Sequence, residues 1–240
     1  MLKEMNGVVD CIFFCHGVLN FMGGLTSTVV EYDTVHKVNV RATMHFVSVC
    51  MPFLRMKKYD RDDRKGLPYD TPITSLKSIT ILSSSAGEKP WPGHMIYNSA
   101  MAALNMLVRC SALENAQHGI RVNAVAPGCT RSERARTNSE FKYAMNENQN
   151  REYMMEQAKS TPMLCFAKPL NKPQGHFIYQ INERHEVAMQ MLWLGSHQAS
   201  FMNGQVMIMD GGLQLTTSNY PMYLEAEEQN DQEHASAAVE

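Results

Sequence analysis

In the stretch ILSSSAGEKPWPGHMIYNSAMAAL, residues 81–104, three consecutive serines close an apolar run, and Tyr97 stands thirteen residues after the middle one, Ser84. Met101 follows one helical turn later, on the same face of any helix that Tyr97 opens. An unperturbed phenol has a pKa of about 10, so at pH 7 only about one molecule in a thousand is phenolate unless a cation lies nearby. A cation at position 101 would supply that help, and a thioether does not. Taken singly, each residue has an ordinary structural explanation. A serine triplet is a solvated strand end, a tyrosine at a helix start is a packed side chain, and Met101 is a core partner of Leu104 and Val108.

The flanking sequence supplies the elements that must position these groups. Val8 to Phe14 (VVDCIFF) is a short, largely apolar run before Gly17, the pattern of a strand covered on both faces. Residues 35–58 are apolar at helical spacing, with Met44, Val47, Met51 and Leu54 on one face and lysines in the last turn, where cations complement the helix dipole. A charged, Gly/Pro-containing loop fills 59–77, Ser78 to Leu82 is a second strand, and Tyr97 to His118 is a helix stopped by Gly119. IRVNAVAPG (120–128) is a third strand ending in a Pro-Gly turn. NERHEVAMQMLWLG (182–195) is an amphipathic helix with Gly195 just past its end, and GQVMIMDGG (204–212) is a fourth strand. Residues 130–180 are polar and yield no clear element. Strands alternating with helices predict an α/β domain with a parallel sheet.

Composition narrows the function classes. At 240 residues and 44% apolar side chains, the chain can bury one core. A net charge of −2 without a basic stripe excludes a nucleic-acid footprint. The six cysteines, at 11, 15, 50, 110, 129 and 165, have neither paired nor metal-ligand spacing, which predicts reduced thiols, no metal and a reducing compartment. No apolar run approaches the roughly 20 residues of a membrane span, and the first residues lack a signal-peptide core, so the expected setting is cytoplasmic with no membrane partner. Glu225 to Glu240 holds six acidic residues and no Lys or Arg. The organisation expected is therefore a domain over 1–219 and an acidic, disordered tail over 220–240.

ILSSSAG, then YNSAM at its thirteen-residue spacing, then IRVNAVAPG and NGQVMIMDGG, resemble in order and spacing the short-chain dehydrogenase/reductase family from Val8 to Gly212. The resemblance implies that Ser84 hydrogen-bonds a substrate carbonyl while Tyr97 donates or takes the proton and a nicotinamide, NAD or NADP, transfers hydride. It implies that the backbone carbonyl of Asn39 holds a water of the proton relay. It further assigns Gly17, Pro127, Gly128 and Ser132 to the cofactor, with Asp210, Gly211 and Gly212 ending the last strand. Met101 stands where the family has a lysine that binds the nicotinamide ribose and lowers the pKa of the tyrosine.

Other features depart from the family as well. Its fold opens with a strand, a Gly-rich turn of the TGxxxGxG type and a helix whose N-terminus meets the pyrophosphate, and none of the 14 glycines here falls in that arrangement. FCHG (14–17) stands in place of an Asn-Asn-Ala-Gly turn, so that only Gly17 remains. The fold expected is an incomplete Rossmann-like doubly wound parallel sheet, truncated by the family's first three strands, with Val8–Phe14 at an edge that invites self-association. The function expected by lineage is NAD(P)-dependent oxidoreduction of a small carbonyl or alcohol, with weak or absent cofactor binding and impaired or lost activity. The alternative is a non-catalytic interaction protein, a homo- or hetero-oligomer using the helices at 40–58 and 97–118, which correspond to those that commonly pair in family dimers.

Overall fold

Segments rich in Val, Ile and Phe form the strands, and the longest of them is buried from end to end. The computed structural model describes residues 9–19, 27–54, 77–91, 93–130, 161, 164–167, 176–179 and 182–216. Its strands are β1 (Cys11–Phe14), β2 (Lys77–Leu82), β3 (Ile120–Pro127), β4 (Leu164–Ala167), β5 (His176–Tyr179) and β6 (Val206–Met209). Its helices are α1 (Val29–His36), α2 (Ala42–Leu54), α3 (Met95–Asn115) and α4 (Arg184–Gly195), with a π-helical turn over Lys37–Arg41 joining the first two.

The main sheet runs β1-β2-β3-β6, and every pairing in it is parallel. This is the parallel sheet that the alternation predicts, in the partial doubly wound arrangement that the resemblance implies. Period-two alternation divides the side chains between two cores. Ile79 and Ile81 of β2 with Ile120, Val122 and Ala124 of β3 pack under Val35, Val47, Leu54, Leu104 and Val108. Val125 and Leu82 belong instead to a second cluster with Val187, Met191 and Leu194 of α4.

Two polar residues of β3 inside these layers tie loops to the sheet. Arg121, 4% exposed in β3, donates to the carbonyls of Leu194 at 2.8 Å and Ser196 at 3.0 Å, a cation seated on the negative end of α4. The Asn123 amide donates to Met202 O at 2.8 Å and accepts from Gln205 N at 3.0 Å, which locks the loop before β6.

The structure revises several expectations. α1 begins six residues before position 35, capped by Thr28 and Glu31 in a reciprocal capping box. Val29, Val30 and Tyr32 are exposed, so its first turns carry no apolar face for periodicity to reveal. The buried face of this helical stretch is Val35, Asn39, Thr43, Val47, Met51 and Leu54, whereas Met44 is 52% exposed. Asn39 and Thr43 occupy the core side because Thr43 Oγ1 donates to Asn39 O at 2.8 Å, which satisfies both groups. Gly195 is the last residue of α4 rather than the one beyond it, and Ser196 is the C-cap. Within 130–180, where no element was expected, β4 and β5 form an antiparallel pair. Lys57 and Lys58, most of the 59–77 loop, Val8, and the tail beyond 216 lie outside the described residues. Cys11, Cys15, Cys50 and Cys110 form no disulfide, and among the described residues no helix is long and apolar enough to cross a membrane.

Among the described residues β1 pairs on one side alone, with β2. Val9, Ile12 and Phe14 turn inward onto the larger core, while Phe13 is 37% exposed. Unpaired strand edges invite association with other chains. Phe13→Lys is therefore expected to reduce self-association of the 240-residue chain in sedimentation velocity, whereas Val9→Lys should lower stability by about 1–3 kcal/mol by setting a charge against the core. Monodisperse unmodified chain with protected Cys11–Phe14 amides would mean that another segment covers this edge.

Candidate active site

Parallel strands direct their C-terminal ends to one rim of the sheet, and side chains just beyond those ends converge there. A cavity of about 470 Å³ opens at the ends of β1, β2 and β3, against the first turns of α3 and α4. Gly17, Asn39, Ser84, Tyr97, Met101, Pro127 and Gly128 all line it. Ser132 lies outside the described residues.

Ser84 leaves β2 in extended conformation and caps a short 3₁₀ turn, Ser85–Gly87, its Oγ accepting from Ala86 N at 3.2 Å. The same hydroxyl faces the phenol of Tyr97, in the first turn of α3, and favours its ionised form. The two can meet because Gly87 has no side chain: a Cβ there would fall 2.7 Å from the Met101 carbonyl carbon and 2.7 Å from Asn105 Nδ2. The turn thus lies flush on the helix. Asn105, buried on α3, accepts from Ser83 Oγ and donates to Glu88 Oε1 at 3.0 Å, and Arg109 holds that carboxylate at 3.0 Å.

Burial pushes the Tyr97 phenol above its ordinary pKa, and the Ser84 hydroxyl pulls it only part of the way back. Tyr97 is therefore a neutral phenol at neutral pH, able to donate a proton and poorly able to take one. Met101 supplies no countering charge. It is 3% exposed and packs in the core cluster with Leu104 and Val108, as its alternative structural explanation anticipates, while also reaching the cavity wall. The Cys129 thiol on the same wall is pushed up to about 12 by burial, so it too stays neutral.

Asn39 sits in the π-helical turn, and its amide brackets the loop after β1, donating to Val18 O and accepting from Val18 N, both at 2.8 Å. Gly17 permits this approach, since a Cβ there would lie 3.2 Å from Asn39 Oδ1. The backbone carbonyl of Asn39 already accepts from Thr43 Oγ1, and His16 Nε2 lies 3.0 Å from that hydroxyl oxygen. A threonine has one hydroxyl proton, so it donates to only one of these two partners at a time. At the next strand end, Gly128 packs against Asp210, and a Cβ on the glycine would fall 2.9 Å from the aspartate's own Cβ. Asp210 in turn accepts from Gly212 N at 3.0 Å and Gln214 N at 2.8 Å, folding the turn after β6.

His16, Trp91, His94 and Arg184 also line the cavity and were missed in the sequence. His16 falls in the FCHG turn, of which only Gly17 was assigned a role, and the other three belong to no motif. Gly87 and Asn105 were missed as well, because close approach and buried pairing have no periodicity.

Comparison with known proteins follows from this geometry. A family profile described as Enoyl-(Acyl carrier protein) reductase matches residues 1–167. The chain is 32% identical over 148 residues to Glucose 1-dehydrogenase 2 of Bacillus subtilis, covering 62% of this chain and 46% of the relative. It is 34% identical over 137 residues to 3beta-hydroxysteroid dehydrogenase 1 of Eggerthella lenta, covering 57% and 43% respectively. The matched stretch thus spans less than half the length of either relative. Among solved structures, ligand-free aldohexose dehydrogenase of Thermoplasma acidophilum superposes with a TM-score of 0.68 at 18% identity, over 90% of this chain and 72% of the other. A Caenorhabditis elegans short-chain dehydrogenase/reductase of unknown function, solved with cofactor, gives 0.67 at 22% identity, over 92% and 70%. At these identities the structural likeness shows the fold.

The electrostatics give a pH dependence. Tyr97 and Cys129 both have folded-state pKa values raised by burial, so their contribution to stability is complete below the unfolded values and is lost as pH rises through the folded ones. Stability in chemical denaturation is expected to be insensitive to these two groups below pH 9.0 and to decline from there to about 12, the range over which Cys129 is displaced. Cys129→Ala should flatten the lower part of that decline. Ser84→Ala should raise the Tyr97 midpoint further, read as the titration lost in Tyr97→Phe.

Proposed function

The chain belongs to the short-chain dehydrogenase/reductase family, and we propose that its cavity is the site of a carbonyl or alcohol oxidoreductase whose proton chemistry rests on Ser84 and Tyr97 and is strongly impaired. The observation that carries this reading is the meeting of the serine hydroxyl and the neutral phenol on one cavity wall. Together they form a two-donor cradle for a carbonyl oxygen. Ser84 Oγ orients that oxygen, and Tyr97 Oη supplies its proton as negative charge develops on it. Running the other way, alcohol oxidation requires the phenolate as base. Burial opposes the phenolate and Met101 offers it no cation, so oxidation is the more severely affected direction.

A nicotinamide nucleotide supplies the hydride in this chemistry when bound. The residues fit one half of such a group. Gly17 and the Pro127–Gly128 turn leave open strand ends beside the hydroxyl pair, where a nicotinamide ring would be held, with Ser132 assigned to its carboxamide on the resemblance alone. The pyrophosphate half has no counterpart: no glycine arrangement of the phosphate-binding type occurs in the sequence, and Met101 cannot hold a ribose hydroxyl. Charged hydrogen bonds of that kind contribute about 1.5–3 kcal/mol each. The 240-residue chain should therefore bind NADH or NADPH no tighter than the millimolar range, about −4 kcal/mol.

A second reading has its own support. Met44, Phe46 and Val49 on α2, and Met106 and Leu113 on α3, are exposed apolar side chains on the two helices assigned to association. On this reading the chain keeps a protein-binding surface without turnover, as a homo- or hetero-oligomer.

Titration calorimetry and a carbonyl-reduction assay separate the two. If the first reading holds, residual NADPH-dependent reduction falls by about 100-fold or more in Tyr97→Phe, the usual weight of a general acid. Met101→Lys should lower the Tyr97 pKa without restoring full turnover, since one cation does not replace a phosphate site. Micromolar cofactor binding by the unmodified chain would overturn the impairment. A stable complex with no measurable cofactor binding and no effect of Tyr97→Phe would favour the second reading.

A further inference from the structure

Ser84 stands on a turn that is held from two sides. On the α3 side, Gly87 and Asn105 fix it, as described above. The opposite side is formed by the turn after β6, which reaches the serine loop through two side chains running in opposite directions. Gln214 Nε2 donates to Ser85 O at 2.9 Å. In return, the Lys89 ammonium donates to the carbonyls of Thr216 at 2.8 Å, Leu213 at 3.2 Å and Gln214 at 3.5 Å. All three ammonium protons thus have backbone acceptors on one short segment. Fixing a lysine costs side-chain entropy, and a set of converging acceptors is what offsets it.

The placement of Gln214 is itself determined. Gly211 and Gly212 adopt left-handed conformations, φ 63° and 85°, which reverse the chain after β6. The Asp210 carboxylate then accepts from Gly212 N and Gln214 N and fixes the turn. Ser85 O also accepts from Glu88 N at 3.0 Å and Lys89 N at 3.1 Å, so the carbonyl gripped by Gln214 is the one that closes the serine turn. The Asp-Gly-Gly sequence therefore does more than end a strand.

We propose that Lys89 and Gln214 form a reciprocal clamp that sets Ser84 against Tyr97, which makes them positioning residues for that pair. The proposal rests on Ser84 and Tyr97 being the reacting groups. Neither clamp residue lines the cavity, and each acts through the serine turn. Loss of the clamp leaves the turn held by α3 alone and loosens the Ser84 hydroxyl from the phenol.

The test follows the Tyr97 phenol in the 240-residue chain by NMR of ring-labelled tyrosine, with its resonance assigned from Tyr97→Phe. Lys89→Met, Gln214→Leu and the double variant should each raise the Tyr97 midpoint, by about half a pH unit or more in the double variant, the size of a hydrogen bond lost. Lys89→Arg, which keeps a cation and several donors, should stay near the unmodified value. If the double variant does not fold, Gln214→Leu, which removes one donor, carries the test. Ser84→Ala separates the two levels of the argument. No upward shift in Ser84→Ala would overturn the assignment of the pair, whereas a shift there with an unchanged midpoint in the folded clamp variants would overturn the clamp.

Discussion

The site depends on one close approach, that of Gly87 to the backbone of α3 at Met101. A methyl group at position 87 would occupy the space of the helix carbonyl carbon, so the turn after β2 could no longer lie flush on α3. Ser84 and Tyr97 belong to different elements, a strand end and a helix start, and nothing local brings them together. Contact between turn and helix does so, and the Asn105 amide between Ser83 and Glu88 holds it. Close-packed contacts of this kind yield little, and this one serves to hold the serine hydroxyl beside the phenol.

Buried polar residues extend the same logic around the sheet. Arg121, Asn123, Asn39 and Asp210 each sit inside or at the rim of the core, and each ends on backbone groups of a loop or helix terminus rather than on another side-chain charge. In a parallel sheet the strands are covered on both faces, so the loops that carry function have little apolar surface of their own to bury. Hydrogen bonds from inside the layers hold them in place. Each bond stabilises modestly, yet leaving its buried donor or acceptor unpaired is costly, which makes these residues strict about loop position.

Two properties of the cavity pull against each other. The strand ends, the serine and the phenol form a geometry suited to carbonyl chemistry, while burial and the thioether of Met101 keep the phenol neutral. Met101 is well accommodated as a core residue, and what it contributes to packing it withholds from electrostatics. Geometry and charge are separable in such a site. The backbone and the core fix the first, while burial of the phenol and the absence of a cation at position 101 govern the second.

The sequence by itself determined the order and type of the main elements, because four apolar runs bounded by glycine and proline, alternating with helical periodicity, admit little but a parallel α/β sheet. Through its resemblance to the short-chain dehydrogenase/reductase family it also pointed to Ser84, Tyr97, Asn39, Gly17, Pro127 and Gly128, which the structure gathers around one cavity. Tertiary structure alone decided the rest. The bracket of Asn39 on the loop after β1, the flush contact at Gly87 and the reach of Lys89 to the turn after β6 all join positions that no local period connects. Lys89 and Thr216 lie 127 residues apart in the chain. Periodicity reports which face of an element is buried by apolar side chains. It says nothing of a buried polar group, whose partner is found only when the chain has folded and every donor has been matched to an acceptor.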